Sequence, residues 1–235
     1  MNNLQQAAHS LGIEITDEQS AEFEKYMEMM LEYNKCVNLT AITEKEEIEE
    51  KHFVDSVSAV LSERLHNNCT LIDIGAGAGF PSLPIKIVRK DIDVTMLDSL
   101  NKRINFLNSA INELHLEKIR AIHMRAEDGG RKAELREKFD VAVARAVADL
   151  SVLAEYALPF VKKGGYFIAM KGPSVDEELD KAKNAIKLLG GKTRKVKKIK
   201  LPSGIEHSLV IIEKTDSTPS KYPRKAGKPV KEPLS

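Results

Sequence analysis

Leu71-Ile72-Asp73-Ile74-Gly75-Ala76-Gly77-Ala78-Gly79-Phe80-Pro81 reads as a buried strand that runs into a glycine-rich turn and then a helix start. Strand-type residues Leu71, Ile72 and Ile74, with Thr70 before them, lead into three glycines spaced by two. No side chain there keeps a ligand off the backbone. The next apolar run, Val94-Thr95-Met96-Leu97, closes on Asp98, 23 positions beyond Gly75. That is near the spacing at which a carboxylate grips a ribose diol, so loop and acid together point to an adenosine.

Downstream of this motif, apolar runs alternate with helical patterns. The pattern predicts strands over 70–74, 93–97, 118–123, 139–144 and 165–170, and helices over 81–89, 101–114, 131–137, 149–161 and 175–189. Such alternation means an α/β fold, a Rossmann-like and mostly parallel sheet with crossover helices on both faces. Gly190-Gly191 ends the last helix. Runs around 195–200 and 207–212, joined by Pro202-Ser203-Gly204, then read as a closing hairpin. Upstream, Phe23, Tyr26, Met27, Met30, Leu31 and Tyr33 recur at helical spacing after a Thr16-Asp17-Glu18 start, and this helix is expected to end near Tyr33. A second amphipathic helix carries Ile48, His52, Phe53, Val57, Val60, Leu61 and Leu65 to about His66. The division is therefore a helical extension over 1–68, a cofactor-binding domain over 69–214 and a basic, proline-rich tail over 215–235. Four prolines and no apolar periodicity predict that the tail lies extended or disordered.

Composition is that of a globular chain, 42% hydrophobic and 30% charged. No apolar stretch approaches the roughly 20 residues a membrane helix needs. The first residues lack a basic stretch followed by an apolar one, so a cytoplasmic protein is expected. Cys36 and Cys69 have no metal-ligand spacing and read as buried thiols, with no metal called for. A net charge of +1 hides an asymmetry: residues 14–50 hold twelve acids and three bases, whereas residues 192–235 hold twelve bases and four acids. The two ends face different partners.

A dinucleotide fingerprint would need glycine at position 80, which is Phe80, and Pro81 removes the next amide donor. No lysine follows as in a phosphate-cradling loop. An adenosine without phosphates remains, with Asp98 on the ribose hydroxyls and Asp73 able to take an ammonium directly or through water. Those are the handles of S-adenosyl-L-methionine. The other predicted strand ends carry Ser99, Arg125-Ala126-Glu127-Asp128, Arg145 and Lys171, placed where ligands sit in open α/β sheets.

Taken together, Lys51-His52-Phe53-Val54-Asp55-Ser56, the glycine loop, Leu97-Asp98-Ser99-Leu100-Asn101-Lys102-Arg103, Arg125-Ala126-Glu127-Asp128, Ala144-Arg145-Ala146-Val147-Ala148 and Tyr222-Pro223-Arg224-Lys225-Ala226-Gly227 closely resemble the RsmG family, also called glucose-inhibited division protein B. The resemblance covers almost the whole chain. It implies a class I methyltransferase fold and transfer of a methyl group from S-adenosylmethionine to N7 of a guanine in the decoding-region stem-loop of bacterial 16S rRNA. It also implies cofactor contacts at Gly75 and Phe80, at Ala126 and Glu127 for the adenine, and at Arg145, with Asp98 and Ser99 at the ribose. Gly77 belongs to the same loop. Ser82 stands where many members have glycine, and Gly129-Gly130 replaces a more usual aromatic-containing turn.

The residues suit that chemistry. A cysteine nucleophile would have to stand at the sheet's carboxyl edge, and Cys69 lies at the opposite strand end. The Asp/Asn-Pro-Pro-aromatic loop associated with exocyclic amines is replaced by Arg145-Ala146-Val147-Ala148. Guanine N7 already presents an in-plane lone pair, so alignment rather than a general base is needed. Arg145 is the candidate residue for turnover, positioning either the cofactor carboxylate or the guanine. His52, His207 and Asp55 read as core or cap residues. The basic run 192–200 and the tail, including Arg224 and Lys225, form a phosphate-tracking surface for 16S rRNA or the small ribosomal subunit. Asn38, Lys102 and Lys171 also stand as RNA contacts. The tail is expected to serve RNA and not the cofactor, in a protein acting as a monomer. A small-molecule methyltransferase is the closest alternative, because its cofactor half would look the same.

Overall fold

A computed structural model describes residues 1–234. Its sheet has seven strands: β1 (Thr70–Ile74), β2 (Asp93–Asp98), β3 (Ile119–His123), β4 (Phe139–Arg145), β5 (Val161–Lys171), β6 (Gly191–Lys200) and β7 (Glu206–Lys214). Their order is β3-β2-β1-β4-β5-β7-β6. β1 to β5 run parallel, and β7 inserts antiparallel between β5 and β6. The central strands are buried along nearly their whole length, as a sheet covered on both faces requires: Leu71, Ile72 and Ile74 in β1, Val141 to Ala144 in β4. Strand order reverses between β1 and β4, so the chain leaves β1 toward β2 and leaves a crevice at the carboxyl ends of this central pair. Gly75 and Arg145 stand at that crevice.

Helices α5 (Ser82–Val88) and α6 (Asn101–Glu113) cover one face, and α8 (Leu150–Ala157) and α9 (Val175–Leu188) the other, while α7 (Ala126–Gly129) is a single turn. The N-terminal helices complete the first face. α1 (Asn3–Ser10) and α2 (Asp17–Val37) each begin with a capping box, Asn2 with Gln5 and Thr16 with Gln19. α2 continues four residues past Tyr33 and closes on Asn38, whose φ of 51° is the left-handed conformation asparagine tolerates. The second helix is not regular: α3 (Lys45–Ile48) passes into a π turn (Glu49–Val54), then α4 (Asp55–Val57) and a 3-10 turn (Ser58–Ser62). Phe23, Tyr26, Met30 and Phe53 from this extension share one hydrophobic core with Leu71, Met96 and Leu107 of the sheet and α6.

Several sequence expectations change here. The helix expected over 131–137 is a series of turns. Arg136 reaches back to the carbonyls of Gly130 (2.7 Å) and Tyr222 (2.8 Å), contacts that outweigh a weak helical pattern. The helix over 149–161 breaks into α8 and a 3-10 turn, Leu158–Phe160, at Pro159, which has no amide to continue the ladder. Cys36 is exposed rather than buried, while Cys69 is buried. The described part of the tail, 215–234, is pinned to the domain rather than disordered. Thr218 bonds Glu137 (2.8 Å) and Leu189 (2.7 Å), Arg224 bonds Glu155, and α10 (Lys228–Lys231) touches α8. Composition cannot show such pinning, because it depends on partners far away in sequence. Among the described residues no helix is long and apolar enough to cross a membrane.

Phe53 is 1% exposed and packs against Phe23, Tyr26 and Phe80 at ring separations of 4.9, 5.4 and 6.2 Å. Phe53→Ala should lower the free energy of unfolding by about 3–5 kcal/mol in urea titration, the loss expected for a large core aromatic. A change below about 1 kcal/mol would show that the extension packs independently of the sheet.

Candidate active site

The glycine loop is shaped by the chain around it. The amides of Gly75 and Ala76 both donate to the carbonyl of Leu97, at 2.9 and 3.0 Å, which turns the chain sharply out of β1. Gly75 (φ 76°) and Gly77 (φ 60°) adopt conformations that side chains rarely accept. A Cβ at Gly75 would also lie 2.9 Å from Val147. Asp98 fixes the loop from the neighbouring strand: its Oδ2 accepts from Gly77 N at 2.9 Å and Arg103 Nη1 at 3.3 Å, its Oδ1 from Leu100 N at 2.8 Å. From the opposite side, the Tyr26 hydroxyl of α2 donates to the carbonyl of Ala78.

Three cavities follow one another along the carboxyl edge. The first, about 240 Å³, is lined by Gly75, Asp98, Ser99, Ala126, Glu127 and Val147 among others. The second, about 230 Å³, lies between the loop residues Gly75, Gly77 and Phe80 and the side chains of His52, Arg103 and Arg145. A third of about 360 Å³ is bounded by Lys51, His52, Asp55, Arg145, Lys171 and His207. Gly75 borders the first two, and His52, Arg145 and Ala146 border the last two. Eight of the nine expected cofactor residues thus gather around two adjoining hollows. Asp73 is the exception: it is fully buried and lines none of the three. Its Oδ2 accepts from the amide (3.2 Å) and hydroxyl (2.5 Å) of Ser82, holding the start of α5, while its Oδ1 is buried with no hydrogen-bond partner. Burial raises its carboxyl to about 7 against the pull of those Ser82 bonds.

Arg145 sits where the second and third cavities meet. Its guanidinium stacks over Phe80 at 4.7 Å and pairs with Asp55 at 2.6 Å, with the carbonyl of Lys51 at 3.2 Å. Nη2 lies 3.3 Å from His52 Nδ1. A guanidinium only donates, so Nδ1 must accept and the proton of His52 is assigned to Nε2, 2.8 Å from Thr40 Oγ1. The imidazole stacks on Phe80 at 4.5 Å and 26°. Burial, then the positive charge of Arg145, lower its pKa to about 4. Burial works to raise Asp55, but the hydrogen bond from His207 and the attraction of Arg145 hold it below the ordinary carboxylate value. Ala146, directly after Arg145, has φ 53°, a strained conformation for a residue with a Cβ.

Sequence reasoning missed His52, Asp55 and His207 as site residues and took them for core or caps. The three-residue spacing of His52 and Asp55 places them on one helical face, a weak signal, and only the fold brings that face to Arg145. The expected RNA contacts separate. Asn38, Lys102 and Lys225 are exposed. Lys171 borders the third cavity with its Nζ bonded to Ala148 O (2.9 Å) and Glu178 (2.7 Å). Arg224 is turned inward: its Nε, Nη2 and amide bond Glu155, itself fully buried.

The donor set fits S-adenosylmethionine. Backbone without side chains at Gly75 and Gly77, apolar Val147 beside it and one guanidinium for a carboxylate match its adenosine and amino-acid ends. Among the described residues no group of three or more His, Cys, Asp or Glu side chains is placed to hold a metal ion.

Comparison with known proteins bears on the fold and on the family. A precorrin-6y C5,15-methyltransferase from Geobacter metallireducens (TM-score 0.53, 14% identity, covering 68% of this chain and 86% of that one) shares the fold. So does TYW2 of M. jannaschii in complex with AdoMet (TM-score 0.50, 19% identity, 66% and 75%). Two relatives named ribosomal RNA small subunit methyltransferase G are far more similar. That of Clostridium perfringens (strain 13 / Type A) is 50% identical over 98% of this chain and 97% of its own length. That of Desulforamulus reducens is 51% identical over 99% and 97%. The family model described as rRNA small subunit methyltransferase G matches residues 19–209, and the chain belongs to that GidB family.

Proposed function

We propose that this protein transfers a methyl group from S-adenosylmethionine to N7 of a guanine in the decoding-region stem-loop of 16S rRNA. The observation that carries the reading is the succession of three cavities with Arg145 at the second boundary. The first two suit the adenosine and methionine ends of the cofactor, and the third suits a base. When bound, the cofactor supplies an electrophilic methyl group on a sulfonium.

The chain's own residues do the aligning. Gly75 and Gly77 leave the backbone open, Asp98 keeps the loop in register, and Phe80 gives Arg145 a fixed platform. From there the guanidinium can hold the O6 edge of a guanine or the cofactor carboxylate. Neutral His52, lying beside it, adds an apolar face without a competing charge. No residue is placed as a base, and none is needed, since guanine N7 gives up no proton in the transfer. The exposed lysines of β6, Lys195 and Lys198, add positive charge on the outermost strand, with which a phosphate backbone can be tracked.

Incubation of the full chain with radiolabelled S-adenosylmethionine and either 16S rRNA or small subunits, followed by nucleotide mapping, tests the reading. Label on a guanine N7 is expected, and label on no RNA would exclude it. Arg145→Ala should reduce turnover by at least about 100-fold while circular dichroism shows the fold retained, in line with losing a substrate-positioning group. Turnover near that of the parent would remove Arg145 from the reaction. Asp98→Ala leaves the Gly77 amide without its acceptor, so calorimetry should show S-adenosylmethionine binding weakened about tenfold or more.

His52 supplies a pH test. With its folded pKa near 4 and an ordinary value of 6.5, the unfolded chain binds the extra proton between those limits. The stability this site provides is complete above about pH 6.5 and is lost as the pH falls toward 4. An imidazole NMR titration should find the low midpoint in the parent and a higher one in Arg145→Met. An ordinary midpoint in the parent would show that the ring is hydrated rather than stacked.

A further inference from the structure

The tail contributes to the first cavity, which neither its composition nor its charge foreshadows. Gly227 and Val230 are among the residues that line it. The Gly227 amide donates to Glu127 Oε1 at 2.9 Å, and the Tyr156 hydroxyl hydrogen-bonds the same carboxylate, which is 5% exposed. Glu127 thus anchors the tail as well as bordering the cavity.

Three further contacts hold the segment leading up to Gly227. Arg224 gives the fully buried Glu155 four hydrogen bonds, including Nη2 to Oε2 at 2.7 Å and its own amide to Oε1 at 2.7 Å. Arg136 bonds the Tyr222 carbonyl at 2.8 Å. Pro223 packs on Gly130 so closely that a Cβ there would lie 3.0 Å from its ring, which gives a physical reason for glycine at that position. A buried ion pair fixes this path because breaking it leaves an uncompensated charge inside the protein.

Two apolar side chains on this cavity are left open: Val147, 37% exposed, and Val230, 59% exposed. One comes from the loop after β4 and the other from α10, so they reach the hollow from different parts of the chain. Exposed aliphatic groups bordering a cavity of this size suit a flat, weakly polar ring, and the occupant consistent with Asp98 and Ser99 alongside is the adenine of the cofactor.

We propose that residues 222–231 form the outer wall of the cofactor site, with Arg224 and Gly227 clipping the segment to Glu155 and Glu127 so that Val230 closes against the adenine. This rests on the cofactor reading given above. The tail is then a cofactor-binding element, held in place by Arg224 and Gly227 and not by its exposed lysines.

The test uses the full chain and two probes, S-adenosylmethionine and methylthioadenosine, which lacks the amino-acid end. Because Val230 is exposed, Val230→Asp should fold, and it should raise the dissociation constants of both probes by at least about tenfold by setting a carboxylate against the ring. Val230→Ile should restore parental affinity. Binding of a 16S stem-loop RNA, and its dependence on salt, should stay unchanged in both variants. Probe affinities within twofold of the parent in Val230→Asp would overturn the proposal while leaving the cofactor reading intact. So would weakened RNA binding with intact cofactor binding. A parent protein that bound neither probe would overturn both.

Discussion

The guanidinium of Arg145 is the joint on which the arrangement of the site depends. It leaves the end of β4, lies over the ring of Phe80 of the glycine loop, and ends in an ion pair with Asp55 of the N-terminal helices. Both partners of that pair are about 85% shielded, so removing either would strand a charge in a poorly hydrated place, at a cost of about 3–5 kcal/mol for a fully buried case. Sheet, loop and extension are locked into one geometry by this side chain. The same contacts keep His52 neutral and stacked, so the ring and the cation occupy one small space without repulsion.

The loop itself needs outside support. Glycines with positive φ admit many conformations in an unfolded chain, and ordering them is entropically costly. Here Leu97 takes two amides, Asp98 takes a third, and Tyr26 secures a carbonyl from the far side. A carboxylate expected to grip a ribose therefore also holds the loop, and it borders the first cavity beside Ser99. The helical extension has a comparable double part. By filling one face of the sheet it also brings Tyr26, His52 and Asp55 to the carboxyl edge, which is why no separate core sets it apart from the rest.

At the opposite end of the chain, the buried Glu155 draws in Arg224, and Gly130 makes room for Pro159 and Pro223. Proline richness and positive charge gave no hint of this, because both are equally natural in a solvated arm. The lysines of β6 have a further physical role: they lie on an edge strand, where charge discourages pairing with another sheet.

Periodicity and glycine spacing determined the alternating fold, the strand carrying the loop, and the acid that follows it, since each of these is a local property of backbone and side-chain pattern. Arg145 stood out for the same reason, as a lone cation between alanines at a strand end. For Asp73, sequence places a residue on a strand without saying whether it faces a cavity or the packed start of a helix. Only tertiary structure decided that point, along with the convergence of His52, Asp55 and His207 on Arg145 and the return of the tail to Glu127. Those contacts join residues as much as 152 positions apart, as between Asp55 and His207, and no local pattern constrains pairings made across such distances.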